Sequence, residues 1–373
     1  MSGIAKYLPV LFIFSIFACR TVKKDNNSED LKPTTDTLVS LENNNSQLTF
    51  SLWGGTLVKF QDKTLRINPF NWKQNKGSND SLNNVPLQGQ FLSLGRWMLP
   101  TPGERKLGMP LNGEPVNNWW KLDTRKNSEE LTMSCEAPLD GYSISRDVIL
   151  SQSDPLFKVN ETFTNDFSIA RTCAIVQNVI LVPPFYDQSV VINSNAKWGF
   201  SEELISKNTD THEYLWPNAF IDTLQISTID LRKFSDRFKY TSSFIFPDSI
   251  GWATLYSPNL KLLLGYTWKT KEYPWFHVRN EIYYGKQVTH SISFGTTGLD
   301  DKFSFEDCVA TTFHNVRNFD FIDAKSSLTK SWFCFLIKVP IGFKNVSKIS
   351  FFDDQVAIAF DTYGGSKEIK LAL

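Results

Sequence analysis

Histidine and cysteine are scarce in this chain, with four and five copies in 373 residues. No Cys-x-x-Cys pair occurs, no histidine stands near a cysteine at a metal-ligand spacing, and no Asp-x-Asp-x-Asp cluster appears. Those patterns are typical of zinc and calcium sites, so we predict neither a metal site nor a cofactor. Four cysteines lie in or beside apolar, strand-like runs, which favours buried free thiols over disulfides: Cys135, Cys173, Cys308 and Cys334.

An excess of either charge is also absent. Lys plus Arg and Asp plus Glu number 39 each, so the chain lacks the positive field with which proteins gather nucleic acid. We therefore exclude nucleic acid as a partner. Apolar residues, in contrast, make up 41% of the chain and aromatic residues 14%, which is enough to bury a large core.

The apolar run at the N-terminus is too short to cross a bilayer as a helix. Lys6 precedes the run Tyr7–Phe17, which has the length of a secretory signal. Because Ile16–Cys19 resembles a bacterial lipobox, we predict a lipoprotein signal peptide over residues 1–18 and acylation of Cys19; an ordinary signal peptide is the alternative. Several acyl chains hold a protein firmly to a membrane. We expect a bacterial cell-envelope lipoprotein, anchored to the outer membrane at its periplasmic face or at the cell surface.

Residues 19–46 are polar, charged and nearly free of aromatic side chains. Such a segment buries too little apolar surface to order itself. We predict that it is a flexible tether between the lipid and a folded domain over residues 47–373.

A pattern for a long amphipathic helix is missing from residues 47–373. About sixteen short segments rich in Val, Ile, Thr, Phe and Tyr are separated there by clusters of Gly, Pro, Asn, Asp or Ser, which is typical of β-strands. No linker-like break interrupts them, so the pattern predicts one large, all-β, antiparallel domain. The absence of a repeated blade motif argues against a β-propeller.

Three segments carry a family resemblance when they are taken together. Gly95–Trp120 contains the pair Asn112-Gly113, Gln177–Gly199 begins with "QNVILVPPFYD", and Thr289–Asp301 contains "SFGTTGLDD". In this order and spacing the segments resemble those of the aldose 1-epimerases, or galactose mutarotases. The resemblance implies a single large antiparallel β-supersandwich of the galactose mutarotase-like type.

The chemistry of that family requires an acid and a base at the sugar ring. The family uses one His as the acid, a Glu as the base and a second His as a helper, and the resemblance places these roles at Asn178, Ser293 and Asn112. None of the three has a titratable group, although a positioned acid or base contributes about 10²–10⁴ in rate. We therefore expect a pocket that binds a mono- or oligosaccharide without transforming it. The alternatives are an active epimerase with a rearranged acid and base, and an assembly protein with a vestigial pocket.

Further carbohydrate-binding candidates are a cation, a histidine and several tryptophans, because sugar sites combine aromatic platforms with fixed polar groups. Arg96 offers a guanidinium fork for a hydroxyl pair or a uronate carboxylate. His277 lies among aromatic and charged residues. A structural arginine and a half-buried strand histidine are the alternatives. The predicted platforms lie in or beside loops and motif segments, with a preference for the two that adjoin a proline, Trp216 and Trp275; the others are Trp119, Trp120, Trp198 and Trp268.

Overall fold

The computed structural model describes residues 38–73, 87–201, 213–220, 227–234, 239–283, 287–299 and 311–373. Within these ranges the chain forms β-strands almost throughout. The strands are β1 (Leu38–Glu42), β2 (Ser46–Ser51), β3 (Thr56–Asp62), β4 (Gln90–Leu94), β5 (Lys121–Arg125), β6 (Glu130–Ala137), β7 (Tyr142–Leu150), β8 (Leu156–Asn165), β9 (Arg171–Cys173), β10 (Ile175–Leu181), β11 (Val191–Ser194), β12 (Trp198–Ser201), β13 (Tyr214–Leu215), β14 (Asn218–Phe220), β15 (Thr228–Asp230), β16 (Tyr240–Ile245), β17 (Ile250–Ser257), β18 (Leu262–Lys269), β19 (Trp275–Tyr283), β20 (Gln287–Gly295), β21 (Thr312–Phe313), β22 (Val316–Arg317), β23 (Asp320–Ile322), β24 (Ser327–Lys338), β25 (Phe343–Phe352), β26 (Gln355–Thr362) and β27 (Gly365–Ala372). The described helical elements are α1 (Pro102–Lys106) and a 3-10 turn (Pro115–Asn117).

Two large sheets carry the fold. In the described residues, ten strands form one sheet in the order β1-β2-β3-β4-β10-β20-β19-β16-β12-β13, and eight form the other in the order β11-β17-β18-β24-β8-β7-β6-β5. Neighbouring strands run antiparallel. Hairpins and longer returns connect them, as is usual for antiparallel sheets.

The two sheets face each other across one hydrophobic core. Burial alternates along strands such as β7, because successive side chains point to opposite sides of a sheet. Phe294 of β20 stacks on Trp268 of β18 at 4.4 Å between ring centroids. Trp332 of β24 contacts the Phe294 ring edge-on. This sandwich confirms the predicted all-β, antiparallel fold.

The N-terminal edge of the sandwich differs from the prediction. The sequence predicts a tether as far as residue 46, yet Leu38–Glu42 pairs with β2 over its whole length. Val39 and Leu41 alternate with polar residues, and Leu41 is completely buried. Because residues 19–46 are polar on average, the short alternation of apolar and polar residues at their end was not recognised as a strand. The remaining predicted segments, residues 1–18 and 19–37 with Cys19, lie outside the described residues.

A third sheet, formed by β25, β26 and β27, covers the outer face of the eight-stranded sheet. Val356, Ile358 and Phe360 of β26 pack with Phe333 and Phe335 of β24. Strand β24 is therefore buried on both faces. This double burial explains why its sequence is a continuous apolar run rather than an alternating one.

Cys135, Cys173 and Cys334 are buried and form no disulfide, as the sequence favours, and Cys308 lies outside the described residues. In the part of the chain that the structure describes, no helix is both long and apolar enough to span a membrane. In the same ranges, no three His, Cys, Asp or Glu side chains meet in an arrangement that could hold a metal ion.

Candidate functional site

A row of polar side chains crosses the ten-stranded sheet on the face that points away from the core. Ser243 of β16, His277 of β19, Ser293 of β20 and Asn178 of β10 are successive register partners. Register partners point to the same side of a sheet, and the adjoining Phe294 points into the core. Ser243 Oγ lies 2.9 Å from His277 Nδ1, and Ser293 Oγ donates to Asn178 Oδ1 at 3.2 Å. We call these four residues the polar row.

Asn112 joins the polar row through a serine of the neighbouring strand. Asn178 Nδ2 donates to Ser93 Oγ at 2.9 Å, and Ser93 Oγ donates to Asn112 Oδ1 at 2.9 Å. Asn112 also accepts the backbone N–H of Met98 at 3.0 Å. The structure thus brings together Asn112, Asn178 and Ser293, the positions at which the resemblance places the helper, the acid and the base, in that order.

The indole of Trp97 covers the polar row. Its Nε1 donates to Asn178 Oδ1 at 3.0 Å, its ring centroid lies 4.3 Å from that of His277, and the Arg279 guanidinium lies 5.5 Å from the same ring. All four residues of the polar row are buried, and none is more than 7% exposed.

This cover contradicts the expectation that the polar row faces an open sugar pocket. A buried indole N–H needs an acceptor, and Asn178 supplies it, so the ring occupies the space above the row. Asn112, Asn178, Ser293 and His277 are each at most 7% exposed, so a sugar can touch them only if the side chains packed around them move. Sequence reasoning missed Trp97 because nothing in the local pattern "LGRWML" distinguishes it from a core tryptophan.

Two of the predicted aromatic platforms are core residues. Trp268 and Trp275 are both 0% exposed. Trp268 lies between the two sheets, and Trp275 packs under Phe313 at the start of the β21–β22 hairpin. The structure therefore contradicts their role as sugar platforms. Trp216 is half-buried and meets Phe244 edge-on at 5.3 Å, so it belongs to the border of the core.

Trp97 also lines a cavity of about 540 Å³. Gly95, Ala174 and Thr297 border this cavity, so it lies where β4 and β20 end and β10 begins. Its volume falls within the range of about 300–1,000 Å³ that small-molecule sites occupy. We call this space the rim cavity.

Arg96 lines the rim cavity. Its Nε donates to both carboxylate oxygens of Glu104, at 3.1 and 3.0 Å. Thr101 donates its backbone N–H and its hydroxyl to the same carboxylate, and its hydroxyl oxygen accepts the Glu104 backbone N–H at 3.3 Å; together these bonds form a capping box at the start of α1. Burial raises the Glu104 pKa, but the hydrogen bonds from Thr101 and Arg96 outweigh that effect and leave the pKa below its usual value. Glu104 is therefore an ionised carboxylate at the cavity wall.

Asp140 is a second carboxyl group of the rim cavity, and it is only 3% exposed. Its Oδ2 accepts the backbone N–H of Glu114 at 2.8 Å. Glu114 in turn accepts the backbone N–H groups of Leu139 and Asp140, at 2.6 and 2.9 Å. Burial raises the pKa of Asp140 to about 7; the Glu114 charge adds to the rise, and Arg171 opposes it. Sequence reasoning missed Asp140, because "PLDGY" reads as an ordinary turn between strands.

The remaining wall combines a cation, an amide and aromatic rings. The Arg171 guanidinium lies 4.7 Å from the ring centroid of Phe167. Asn318 is buried and accepts the backbone N–H of Gly298 at 3.0 Å. Phe321, which also lines the cavity, is 48% exposed. The rim cavity thus presents an exposed aromatic ring and two partly exposed guanidinium groups, those of Arg96 and Arg171, while Asp140 and Asn318 are only 3% and 2% exposed at its wall.

No family model and no curated protein matches this sequence. Solved structures do match its fold. A galactose mutarotase related enzyme from Lactobacillus acidophilus superposes with a TM-score of 0.57 at 10% identity, covering 80% of this chain and 97% of its own. A galactose mutarotase-like protein from Clostridium acetobutylicum superposes with a TM-score of 0.53 at 11% identity, covering 81% of this chain and 95% of its own. A galactose mutarotase-like protein from Lactobacillus casei superposes with a TM-score of 0.50 at 12% identity, covering 80% of this chain and 100% of its own.

These structures are similar over nearly their whole length, yet almost nine residues in ten differ. Such a likeness carries information on the arrangement of the strands and none on the reaction. The chain therefore has the galactose mutarotase-like β-sandwich fold.

Proposed function

We propose that the protein is a bacterial envelope lipoprotein whose mutarotase-like domain binds carbohydrate in the rim cavity without the family's acid–base catalysis. The observation that supports binding is the composition of the cavity wall, where the exposed ring of Phe321 and the partly exposed guanidinium groups of Arg96 and Arg171 line the same space. Aromatic rings pack on the C–H faces of sugars, while carboxylate, guanidinium and amide groups bond their hydroxyls.

The loss of catalysis is supported by the neutral residues at the matched positions. Asn112, Asn178 and Ser293 hold hydrogen bonds but have no useful proton affinity near neutral pH. An imidazole–carboxylate pair does occur, since His314 Nε2 lies 2.7 Å from Glu213 Oε2. His314 lies in the β21–β22 turn and Glu213 directly before β13, and neither residue lines the rim cavity.

Calorimetric titration of the protein with a panel of mono- and disaccharides tests the binding. We expect Arg171→Ala to weaken the affinity by about tenfold or more, the usual effect of losing a hydrogen bond to a charged group. Arg125→Ala is the matched control, because Arg125 is exposed on β5, away from the cavity wall. Equal affinities for the two variants would place the ligand elsewhere.

Anomer exchange followed by NMR tests the absence of catalysis. Conversion of α- to β-glucose and α- to β-galactose should proceed at the rate of buffer alone when the protein is added. A rate well above buffer would contradict the proposal.

The lipid anchor rests on the lipobox-like Ile16–Cys19 segment. We expect Cys19 to incorporate labelled palmitate in a bacterial host and the protein to sediment with outer membranes. Cys19→Ala should abolish the label and release the protein into the soluble fraction. Retention of label in that variant would show that another residue is acylated.

A second candidate function is an active carbohydrate epimerase with a rearranged acid and base. One observation favours it: Glu104 and Asp140 line the same cavity, and their surroundings move the two pKa values in opposite directions. Paired carboxyl groups with separated pKa values are typical of acid–base sites. In this case the wild-type protein would exceed the buffer rate below about pH 7, where Asp140 holds a proton, and Asp140→Asn would return the rate to that of buffer.

A further inference from the structure

Trp119 is the one exposed tryptophan of this protein. All eleven tryptophans fall within the described residues, and Trp119 alone reaches the exposed range, at 42%. Trp53 meets it edge-on, with 4.9 Å between ring centroids and 82° between ring planes. An exposed indole of this kind is uncommon, because its large apolar face gains free energy when it is covered.

The backbone holds this tryptophan pair in place. Trp53 and Trp119 form a bridge between their chain segments, the Gly54 N–H donates to Asn118 O at 2.8 Å, and the Trp120 N–H donates to Leu52 O at 2.7 Å. The exposed ring is therefore presented by a rigid support. A preorganised surface loses little conformational entropy when a ligand covers it.

The surroundings of the pair are polar. Asn118 Nδ2 donates to the carbonyl of Glu136 at 3.1 Å, and Lys121 and Asp123 form an exposed ion pair at 3.3 Å. An aromatic face flanked by amide, amine and carboxylate groups matches a sugar, which has an apolar face ringed by hydroxyls.

A short stretch of chain connects the support of the tryptophan pair to the wall of the rim cavity. Asn118 bonds the carbonyl of Glu136, and only three residues further along the chain the exposed Leu139 lines the cavity. Three residues span at most about 11 Å. Leu139 at the cavity wall therefore lies within this distance of Glu136, whose carbonyl Asn118 contacts, and Asn118 adjoins Trp119 in the chain.

We infer that the ligand of the rim cavity is an oligosaccharide, and that Trp53 and Trp119 form a second subsite for the sugar units that extend beyond Leu139. This inference rests on the proposed carbohydrate-binding function. It adds the size class of the ligand and a contact surface outside the cavity.

Calorimetric titration with oligosaccharide series tests the inference. The probes are β-1,4-glucan, α-1,4-glucan, xylan, mannan and chitin fragments of one to six units, applied to wild type, Trp119→Ala and Trp119→Phe. We expect the wild-type affinity to rise with chain length and Trp119→Ala to lose about three- to tenfold for the longest ligands only, the scale of one aromatic contact. Trp119→Phe should restore part of the loss, because it keeps an aromatic face.

Oxidation by N-bromosuccinimide provides an independent readout, because the reagent attacks exposed indoles. Long ligands should protect Trp119, located by mass spectrometry, whereas monosaccharides should not. Equal affinities for short and long ligands, or unchanged long-ligand affinity in Trp119→Ala, would overturn the inference and leave the cavity function standing. Absence of binding to every ligand would overturn both.

Discussion

At the scale of single residues, Asp140 shows how burial decides the ionisation of a carboxyl group. Its side chain is almost fully buried beside Glu114 and receives one backbone hydrogen bond. Desolvation therefore raises its pKa from 3.8 to about 7. The folded protein binds this proton more tightly than the unfolded chain does, so this residue lowers stability as the pH rises from about 4 to 7.

Asp140→Asn removes this pH dependence. The stability of the variant relative to wild type should increase by up to about 1.4 kcal/mol per pH unit between pH 4 and 7 and then level off. The Asn side chain can still accept the Glu114 N–H. Urea unfolding at several pH values measures the effect, with Asp166→Asn at an exposed position as the control. A difference from wild type that stays constant with pH would contradict the raised pKa.

Arg146 and Glu161 form an ion pair inside the sandwich, with side chains that are 4% and 0% exposed. Arg146 Nε donates to Glu161 Oε1 at 2.9 Å, and Gln177 Nε2 donates to Oε2 at 2.6 Å. The guanidinium lies 4.3 Å from the ring centroid of Trp120. Each charge is thus compensated by the other and by hydrogen bonds, and removal of one leaves the other buried without its partner.

We expect Arg146→Met to lower the free energy of unfolding by about 3–5 kcal/mol, because it leaves the Glu161 carboxylate unpaired in the core. Arg232→Met is the matched control. It breaks the Arg232–Asp230 pair, whose side chains are 53% and 43% exposed, and should cost less than about 1 kcal/mol. Denaturant midpoints measured by tryptophan fluorescence compare the stabilities of the two variants. Similar shifts of the midpoint would show that the buried ion pair contributes no more to stability than the exposed one.

At the scale of elements, the loop between β4 and β5 positions both the polar row and the rim cavity. It supplies Trp97, which covers the row, and Arg96, which lines the cavity. Gly113 brings the loop against the sheet at φ +80°, where an added Cβ would lie 2.0 Å from the carbonyl oxygen of Leu94 and 3.1 Å from Asp140 Oδ2. Only glycine permits this approach.

Gly113 and Gly108 form a natural comparison within this loop. Gly108 also has a positive φ, +91°, but an added Cβ there meets no atom within 4 Å. Gly108→Ala should lower the free energy of unfolding by about 1–2 kcal/mol through backbone strain alone. Gly113→Ala should lower it by a further about 1–3 kcal/mol, because the added methyl group also overlaps its neighbours. Thermal unfolding measures the cost, and titration should show weaker sugar binding for Gly113→Ala only. Equal behaviour of the two variants would mean that the loop adapts freely.

At the scale of the whole molecule, the β25–β26–β27 sheet turns a two-layer sandwich into a partly three-layered one. Phe360 of β26 is 1% exposed in the apolar cluster that also contains Phe333 and Phe335 of β24, whereas Phe352 at the end of β25 is 80% exposed. Phe360→Ala should therefore lower the free energy of unfolding by about 3–5 kcal/mol, and Phe352→Ala by no more than about 0.5 kcal/mol. Urea unfolding distinguishes them. A small effect of Phe360→Ala would show that this sheet adds little to the stability of the sandwich.

Prediction from the sequence succeeded where the relevant signal is local. Alternating and continuous apolar runs identified strands such as β7 and β24, and the order of three motifs led to the mutarotase-like fold. The juxtaposition of Asn112, Asn178 and Ser293 also followed from those motifs. The sequence did not predict which side chains are exposed. Trp275, for example, has the local pattern of an aromatic residue beside a loop, but the β21–β22 hairpin covers it.

The sequence by itself therefore determined the all-β class of the domain and the neutral chemistry of the three matched positions, since side-chain identity and period-2 patterning need no knowledge of distant contacts. Only the tertiary structure decided which groups a ligand can reach. Trp97 covers Asn178 and lines a cavity whose main carboxyl group, Asp140, comes from another segment. The burial of a residue depends on all the elements that pack around it, and these come from distant parts of the chain. A local stretch of sequence therefore does not determine it.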